Sequence, residues 1–211
     1  MFDVTERGDV FVRAGAYDWL IAPGSLGMAS RPYARAAARV MDEHPRRVLD
    51  VGTGTGAMAI ALKRQAPHAE IHGVDPSDRM LEIARTRGVR AGVVVHFAHG
   101  WGQDLPFPDN EFDVVTFASV LHHIPAAQRG IVLAEARRVL RPGARALIVE
   151  LVPARLARLL PAHRHQMDQE GCRRLLRASG FTDVEAGRIT PSLLAYATGR
   201  SPSGGEHLPL W

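Results

Sequence analysis

The stretch Val48-Leu49-Asp50-Val51-Gly52-Thr53-Gly54-Thr55-Gly56-Ala57 runs an apolar strand into a glycine-rich turn that opens a helix. Such a corner binds nucleotides, because glycine lets the backbone turn tightly and lets a ligand approach where a Cβ would collide. Gly52 and Gly54 hold those positions, with Thr53 between them. The free amides at the start of a helix over Thr55 to Gln65 then face the bound molecule. A second strand ends in Gly73-Val74-Asp75-Pro76-Ser77, which sets a carboxylate at a strand's C-terminal edge beside the corner. Asp75 can accept two hydrogen bonds from a ribose diol, or simply start the turn at Pro76. Met80, one helical turn on, either flanks an adenine face or packs in the core. Gly52, Gly54 and Ala57 also satisfy the dinucleotide pattern G-x-G-x-x-G/A. An adenosine-bearing dinucleotide and S-adenosylmethionine therefore both fit at this point.

The elements that must hold these residues alternate between strand-like and helix-like from about residue 46 to 198, the pattern of a parallel sheet with helices on both faces. The strands expected are Arg47 to Val51, Glu70 to Val74, Val93 to Ala98, Phe112 to Ser119, Ala144 to Leu151, Asp183 to Ile189 and Ser192 to Thr198. Met80 to Arg87 and Gln128 to Leu140 carry apolar residues at helical spacing, with Ser77 as N-cap of the first. Residues 1–45 read as helices outside the sheet, broken near Pro23-Gly24-Ser25-Leu26-Gly27 and placed to cover the cofactor. Residues 46–200 form the core, and Ser201-Pro202-Ser203-Gly204-Gly205 opens a mobile tail ending at Trp211. The whole is one domain.

Composition removes several function classes. With 211 residues, 46% hydrophobic and 23% charged, the chain is an ordinary globular one. No apolar run approaches the roughly 20 residues of a membrane span, and Asp3, Glu6 and Asp9 replace a basic signal-peptide start, so the expected location is cytoplasmic. The net charge of +4 comes from arginines scattered over helix faces, with Lys63 the only lysine and no interleaved surface aromatics. That is not a nucleic-acid footprint. The single Cys172, in Cys172-Arg173-Arg174-Leu175-Leu176, reads as a packed helix residue, and the ten histidines form no metal pattern.

Asp104-Leu105-Pro106-Phe107-Pro108-Asp109-Asn110-Glu111-Phe112-Asp113-Val114-Val115 resembles the Leu-Pro-Phe loop and the following strand of class I methyltransferases. Val120-Leu121-His122-His123 and Glu135-Ala136-Arg137-Arg138-Val139-Leu140-Arg141-Pro142-Gly143 resemble the later motifs of that family, in the right order over residues 46–151. The similarity is to the small-molecule branch, which includes ubiquinone and menaquinone methyltransferases. It implies an α/β, Rossmann-like, doubly wound seven-stranded sheet, mostly parallel with an antiparallel last strand, and S-adenosylmethionine across the C-terminal edges of its first strands. It implies that Asp50 attracts the cofactor's ammonium, directly or through water, and that Ser119 offers a backbone carbonyl to the same group. A hydride enzyme has no use for the Leu-Pro-Phe and Arg-Val-Leu-Arg-Pro-Gly signatures.

Two positions depart from the family. Gly100-Trp101-Gly102-Gln103 stands where Gly-Asp-Ala is usual, so no carboxylate accepts the adenine amino group. Either Trp101 stacks on the purine, with the Trp101 and Gly102 backbone reading its edge, or it packs beneath the loop. Ala144 replaces a second glycine. On the acceptor side, His122 and His123 lie just beyond the fourth strand, where one can deprotonate an oxygen acceptor, although the family pattern favours a scaffold role. Tyr17, in Ala16-Tyr17-Asp18-Trp19, matches a tyrosine of the family's covering helices and either closes on the cofactor or packs with Trp19. Arg155, Arg158, His163, Arg164 and His165 suit an anionic acceptor or a solvated helix face. The expected activity is methyl transfer to oxygen, carbon or nitrogen of a small molecule. The rivals are a catalytically silent cofactor-binding accessory subunit and a methyltransferase acting on a macromolecule.

Overall fold

Strand β3 (Arg47–Val51) is an interior strand, third across a seven-stranded sheet. Its partners are β4 (Glu70–Asp75), β5 (His96–His99), β6 (Phe112–Ala118), β7 (Leu140–Leu151), β8 (Thr182–Thr190) and β9 (Leu194–Arg200). The order across the sheet is β5-β4-β3-β6-β7-β9-β8. Pairing is parallel from β5 to β7, and β9 runs antiparallel to both of its neighbours. The computed structural model describes residues 2–5, 8–11, 26–41, 43–151, 167–190 and 194–203.

The strands form because their residues are apolar on both faces, as a sheet covered on two sides requires. Successive side chains point to opposite faces, and the sequence fills both. Val48, Val114, Leu147 and Val149 pack with Ala36 and Val40 of α1 (Leu26–Met41) and Met58 and Leu62 of α2 (Ala57–Gln65). Leu49, Val51, Val115, Phe117 and Ile148 pack with Val132 and Leu133 of α4 (Ala126–Val139) and with Cys172 and Leu176 of α5 (Gln169–Ala178). Between these, α3 (Asp78–Ala91) links β4 to β5, and Ser77 caps it by accepting from the Met80 amide at 3.3 Å, as its sequence position predicts. Cys172 is buried in a helix, also as expected.

The chain leaves β3 for β4 on one side and reaches β6 on the other, so the order reverses between β3 and β6. Ligands of open α/β sheets bind in the crevice such a switch opens at the strands' C-terminal ends. The residues singled out for chemistry lie along that edge.

Several boundaries differ from expectation. Residues 1–45 are not uniformly helical: β1 (Phe2–Thr5) and β2 (Gly8–Phe11) pair antiparallel, Phe2 opposite Phe11 and Thr5 opposite Gly8. Phe-Asp-Val-Thr alternates apolar and polar with period two, and Gly-Asp-Val-Phe ends in two β-prone residues, a short strand signal that the helical reading overlooked. The one described helix of this segment, α1, packs with α2 into the core on one sheet face. Strand β5 begins at His96 rather than Val93, because its length is set by the pairing of β4, His72 with His96 through Asp75 with His99. Strand β7 begins at Leu140, which pairs with Phe112 before a register shift brings Arg145 opposite Val114. The expected helix to Leu140 therefore stops at Val139.

Candidate active site

Asp50 shares a sheet face with Val48 and points under the start of α2, 1% exposed. The Thr53 hydroxyl donates to one of its carboxylate oxygens at 2.7 Å, and the Thr116 hydroxyl of β6 donates to the other at 2.6 Å. Burial pushes its pKa up to about 6 against the pull of both hydroxyls. Asp50 thus ties the corner to β6.

The two glycines divide their tasks. A Cβ on Gly52 would stand 2.2 Å from Cγ2 of Val120, and its φ of +66° is left-handed. Val120, rather than a ligand, fills that space. Gly54, at φ +52°, has nothing within 4 Å of where its Cβ would sit. The open cradle is there.

The Gly54 amide donates to Asp75 Oδ2 at 2.8 Å, and the Ser77 amide donates to Oδ1 at 2.9 Å. Burial raises the Asp75 pKa while these amides oppose it. Each oxygen keeps a second lone pair, so the carboxylate is fixed and can still accept a diol. The Thr53 amide donates to Val74 O at 3.0 Å, pinning the turn to β4. Pro76 is half-buried and Met80 is 6% exposed at the start of α3.

The loop after β5 closes the adenine side. The Gly100 amide reaches Asp75 O at 3.3 Å, and the Asp104 amide donates to Trp101 O at 3.1 Å. Trp101 is half-buried. Gly102 has no room for a side chain, since its Cβ would lie 3.2 Å from Val51 and from Val132, so its backbone packs on the core. Downstream, Arg138 holds the Leu-Pro-Phe loop by donating to Leu105 O, Phe107 O and Asp109 at 3.0, 2.8 and 2.8 Å. Glu135 accepts from Arg138 and from the Leu105 amide. Its hydrogen bond to Arg138 keeps its carboxyl below the usual range. The two distant motifs occur together because one clamps the other.

On the opposite wall, Ser119 ends β6 with φ +56°, a sparsely populated conformation for a residue with a Cβ. Its amide donates to Val149 O at 2.7 Å, and its Oγ lies 3.3 Å from the Tyr33 hydroxyl of α1. A single 3-10 turn, Leu121–His123, follows. Glu150, fully buried near the end of β7, accepts from the Leu121 amide at 3.0 Å and from His122 Nδ1 at 2.7 Å. The His122 and His123 rings lie 4.0 Å apart between centroids.

The structure therefore brings Asp50, Gly52, Thr53, Gly54, Asp75, Pro76, Met80, Trp101, Gly102, Ser119, His122 and His123 to one sheet edge. Tyr17 and the basic residues from Arg155 to His165 lie outside the described residues. Sequence reasoning missed Tyr33, Thr116, Val120 and Glu150. Only Glu150 carried a signal, a charge inside the apolar run Ala146-Leu147-Ile148-Val149-Glu150-Leu151. Among the described residues no cluster of three or more His, Cys, Asp or Glu could hold a metal, and no helix is long and apolar enough to cross a membrane.

Fold and site define a Rossmann-like protein that binds an adenosyl cofactor. A methyltransferase-domain profile matches residues 48–143. A demethylmenaquinone methyltransferase of Thermotoga maritima is 41% identical over 140 residues, 66% of this chain and 58% of that protein. The demethylmenaquinone methyltransferase of Clavibacter sepedonicus is 31% identical over 83% of this chain and 80% of its own length. The apo crystal structure of SibL, an S-adenosylmethionine-dependent methyltransferase, aligns with TM-score 0.67 and 25% identity over 89% of this chain and 57% of its own. The chain spans 57–63% of the length of three of the demethylmenaquinone methyltransferases it matches. It belongs to the class I S-adenosylmethionine-dependent methyltransferases, and its cofactor is S-adenosylmethionine.

Proposed function

We propose that this chain transfers the methyl group of S-adenosylmethionine to a small hydroxylated aromatic acceptor of the reduced-quinone class. The observation that carries the reading is the open cradle over Gly54 beside an anchored Asp75, set in a chain of this family. The acceptor class is taken from relatives named as demethylmenaquinone and ubiquinone/menaquinone methyltransferases. We assign a cytoplasmic location, in keeping with the single free thiol of Cys172.

The bound cofactor supplies a sulfonium methyl group, an electrophile that needs no activation. The chain's tasks are to align the acceptor in line with it and to keep water out. Asp75 takes the ribose hydroxyls, Met80 and Trp101 flank the purine, and the Gly54 cradle admits the ligand to the backbone. The Ser119 carbonyl and Asp50 serve the amino-acid end, Asp50 through the threonines that hold it.

Calorimetry of the full chain with S-adenosylhomocysteine and with NAD tests the cofactor assignment. Binding of the sulfur ligand alone is expected, and binding of NAD alone would overturn it. Asp75→Ala is expected to weaken S-adenosylhomocysteine about tenfold or more, since hydrogen bonds to a charged group contribute about 1.5–3 kcal/mol each. Turnover of 1,4-dihydroxynaphthalene with S-adenosylmethionine, followed as S-adenosylhomocysteine release, separates the enzyme from a silent binding subunit.

A further inference from the structure

The two neighbouring histidines are not equivalent. His122 Nδ1 is 2.7 Å from Glu150 Oε2, a carboxylate brought to it by β7. Glu150 is fully buried, and its second oxygen is committed to the Leu121 amide, so the carboxylate cannot swing away. Taking a carboxylate out of water is costly unless donors surround it. The groups facing the pair are Arg129 of α4, whose own bond goes to Ile124 O at 2.9 Å, Cys172 of α5, and the His123 ring. The hydrogen bond to Oε2 comes from the His122 imidazole.

We infer that Glu150 is a positioning residue that holds His122 with its proton on Nδ1 and its lone pair on Nε2, making His122 the general base for an acceptor that carries an ionisable hydroxyl. A carboxylate oxygen only accepts, so the ring nitrogen facing it must donate, and neutral imidazole then has its acceptor on the other nitrogen. Nε2 takes no hydrogen bond from the described residues, and the side chain keeps 15% of its surface exposed at the crevice edge. In the reaction Nε2 takes the hydroxyl proton. The freed electron pair, on the oxygen or on the ring carbon conjugated with it, forms the new bond to the methyl carbon. The carbon–sulfur bond breaks with its electrons going to sulfur, leaving the neutral thioether and an imidazolium that later gives its proton to water. An amine acceptor attacks through its own lone pair and has no need of this arrangement. The inference rests on the methyl-transfer reading above and narrows its substrate class.

Glu150→Gln separates positioning from support. The amide oxygen still accepts from the Leu121 amide, but the amide nitrogen donates toward Nδ1 and drives the ring proton to Nε2. The variant is expected to fold and to bind S-adenosylhomocysteine as the parent does. Its kcat on 1,4-dihydroxynaphthalenes should fall by about 10²-fold or more, the scale of general-base catalysis. The loss should shrink as ring substituents make the hydroxyl more acidic. Nitrogen-15 NMR of the full chain should show the Nδ1–H tautomer at His122 in the parent and the Nε2–H tautomer in the variant. Glu150→Asp, which restores a carboxylate, should recover part of the rate. An Nε2–H tautomer in the active parent, or a variant within about threefold of the parent across the acidity series, overturns the inference alone. A parent that binds S-adenosylhomocysteine yet methylates none of the series overturns the methyl-transfer reading, and the base with it.

Discussion

On the corner side of the crevice, most shaping hydrogen bonds join residues close in sequence, Thr53 to Asp50 across 3 positions, Ser77 to Asp75 across 2 and Gly54 to Asp75 across 21, while Thr116 reaches Asp50 across 66. On the opposite wall, His122 meets Glu150 across 28 positions and Tyr33 meets Ser119 across 86. The first wall is a single strand-turn-helix-strand unit whose geometry follows from glycine placement and two carboxylates. The second is assembled only when α1, β6 and β7 are all in place. Its loop-closure cost rises only slowly with length, so a few good contacts suffice to hold it. The chemistry common to a family can thus sit on one wall while the other varies.

The sharpest way to break this division is at a place where the walls touch, Gly52 under Val120. Gly52→Ala adds a clash of the overpacking kind, about 1–3 kcal/mol, to a left-handed backbone penalty of about 1–2 kcal/mol. Denaturant unfolding should register a loss of about 2–5 kcal/mol, and Val120→Ala in the same chain should return only the clash share. A loss below about 1 kcal/mol would mean that the walls are not in contact there.

Asp50 tests whether the corner is stable on its own account. Its folded pKa of about 6 lies above the 3.8 of an aspartate in the unfolded chain. Its contribution is therefore fully present below pH 3.8 and is lost as pH rises through 6. At about 1.4 kcal/mol per unit, that loss is roughly 3 kcal/mol. Asp50→Asn, which does not titrate, should show a stability profile between pH 4 and 7 that falls less steeply than the parent's. Glu135, held low by Arg138, acts with the opposite sign at acid pH in both proteins and cancels in the difference. Parallel profiles would place the titration elsewhere.

The smallest effect is expected on the assembled wall. Tyr33→Phe removes one hydroxyl contact to Ser119 and should lower stability by about 0.5–1.5 kcal/mol in thermal unfolding, the net worth of a single hydrogen bond. A loss above about 2 kcal/mol would show that α1 depends on that hydroxyl for more than one contact.

Most of the sheet and all of the corner were legible because their determinants are local. Consecutive apolar residues at Val48 and Leu49, at Val114 and Val115, and at Leu147 and Ile148 announce strands buried on both faces, and the Leu-Pro-Phe and Arg-Val-Leu-Arg-Pro-Gly motifs identify the family. Strand ends were less legible: β5 stops and starts where β4 offers partners, and the pairing of Leu140 with Phe112 is a property of two strands rather than one. The hairpin of β1 and β2 was misread as helix because four-residue runs carry little periodicity to weigh.

By itself the sequence determined a glycine corner at Gly52 to Gly56, a carboxylate beside it at Asp75 and the methyltransferase class, since each depends on residue types at short, fixed spacing. Only the tertiary structure decided that Val120 fills the space over Gly52 and leaves Gly54 as the open cradle. It also decided that Asp50 is bound by two threonines, and that a carboxylate on β7 distinguishes His122 from His123. Those are pairings between elements, fixed when strands align in register and side chains compete for the same buried volume, and no single segment of the chain encodes which neighbour it will meet.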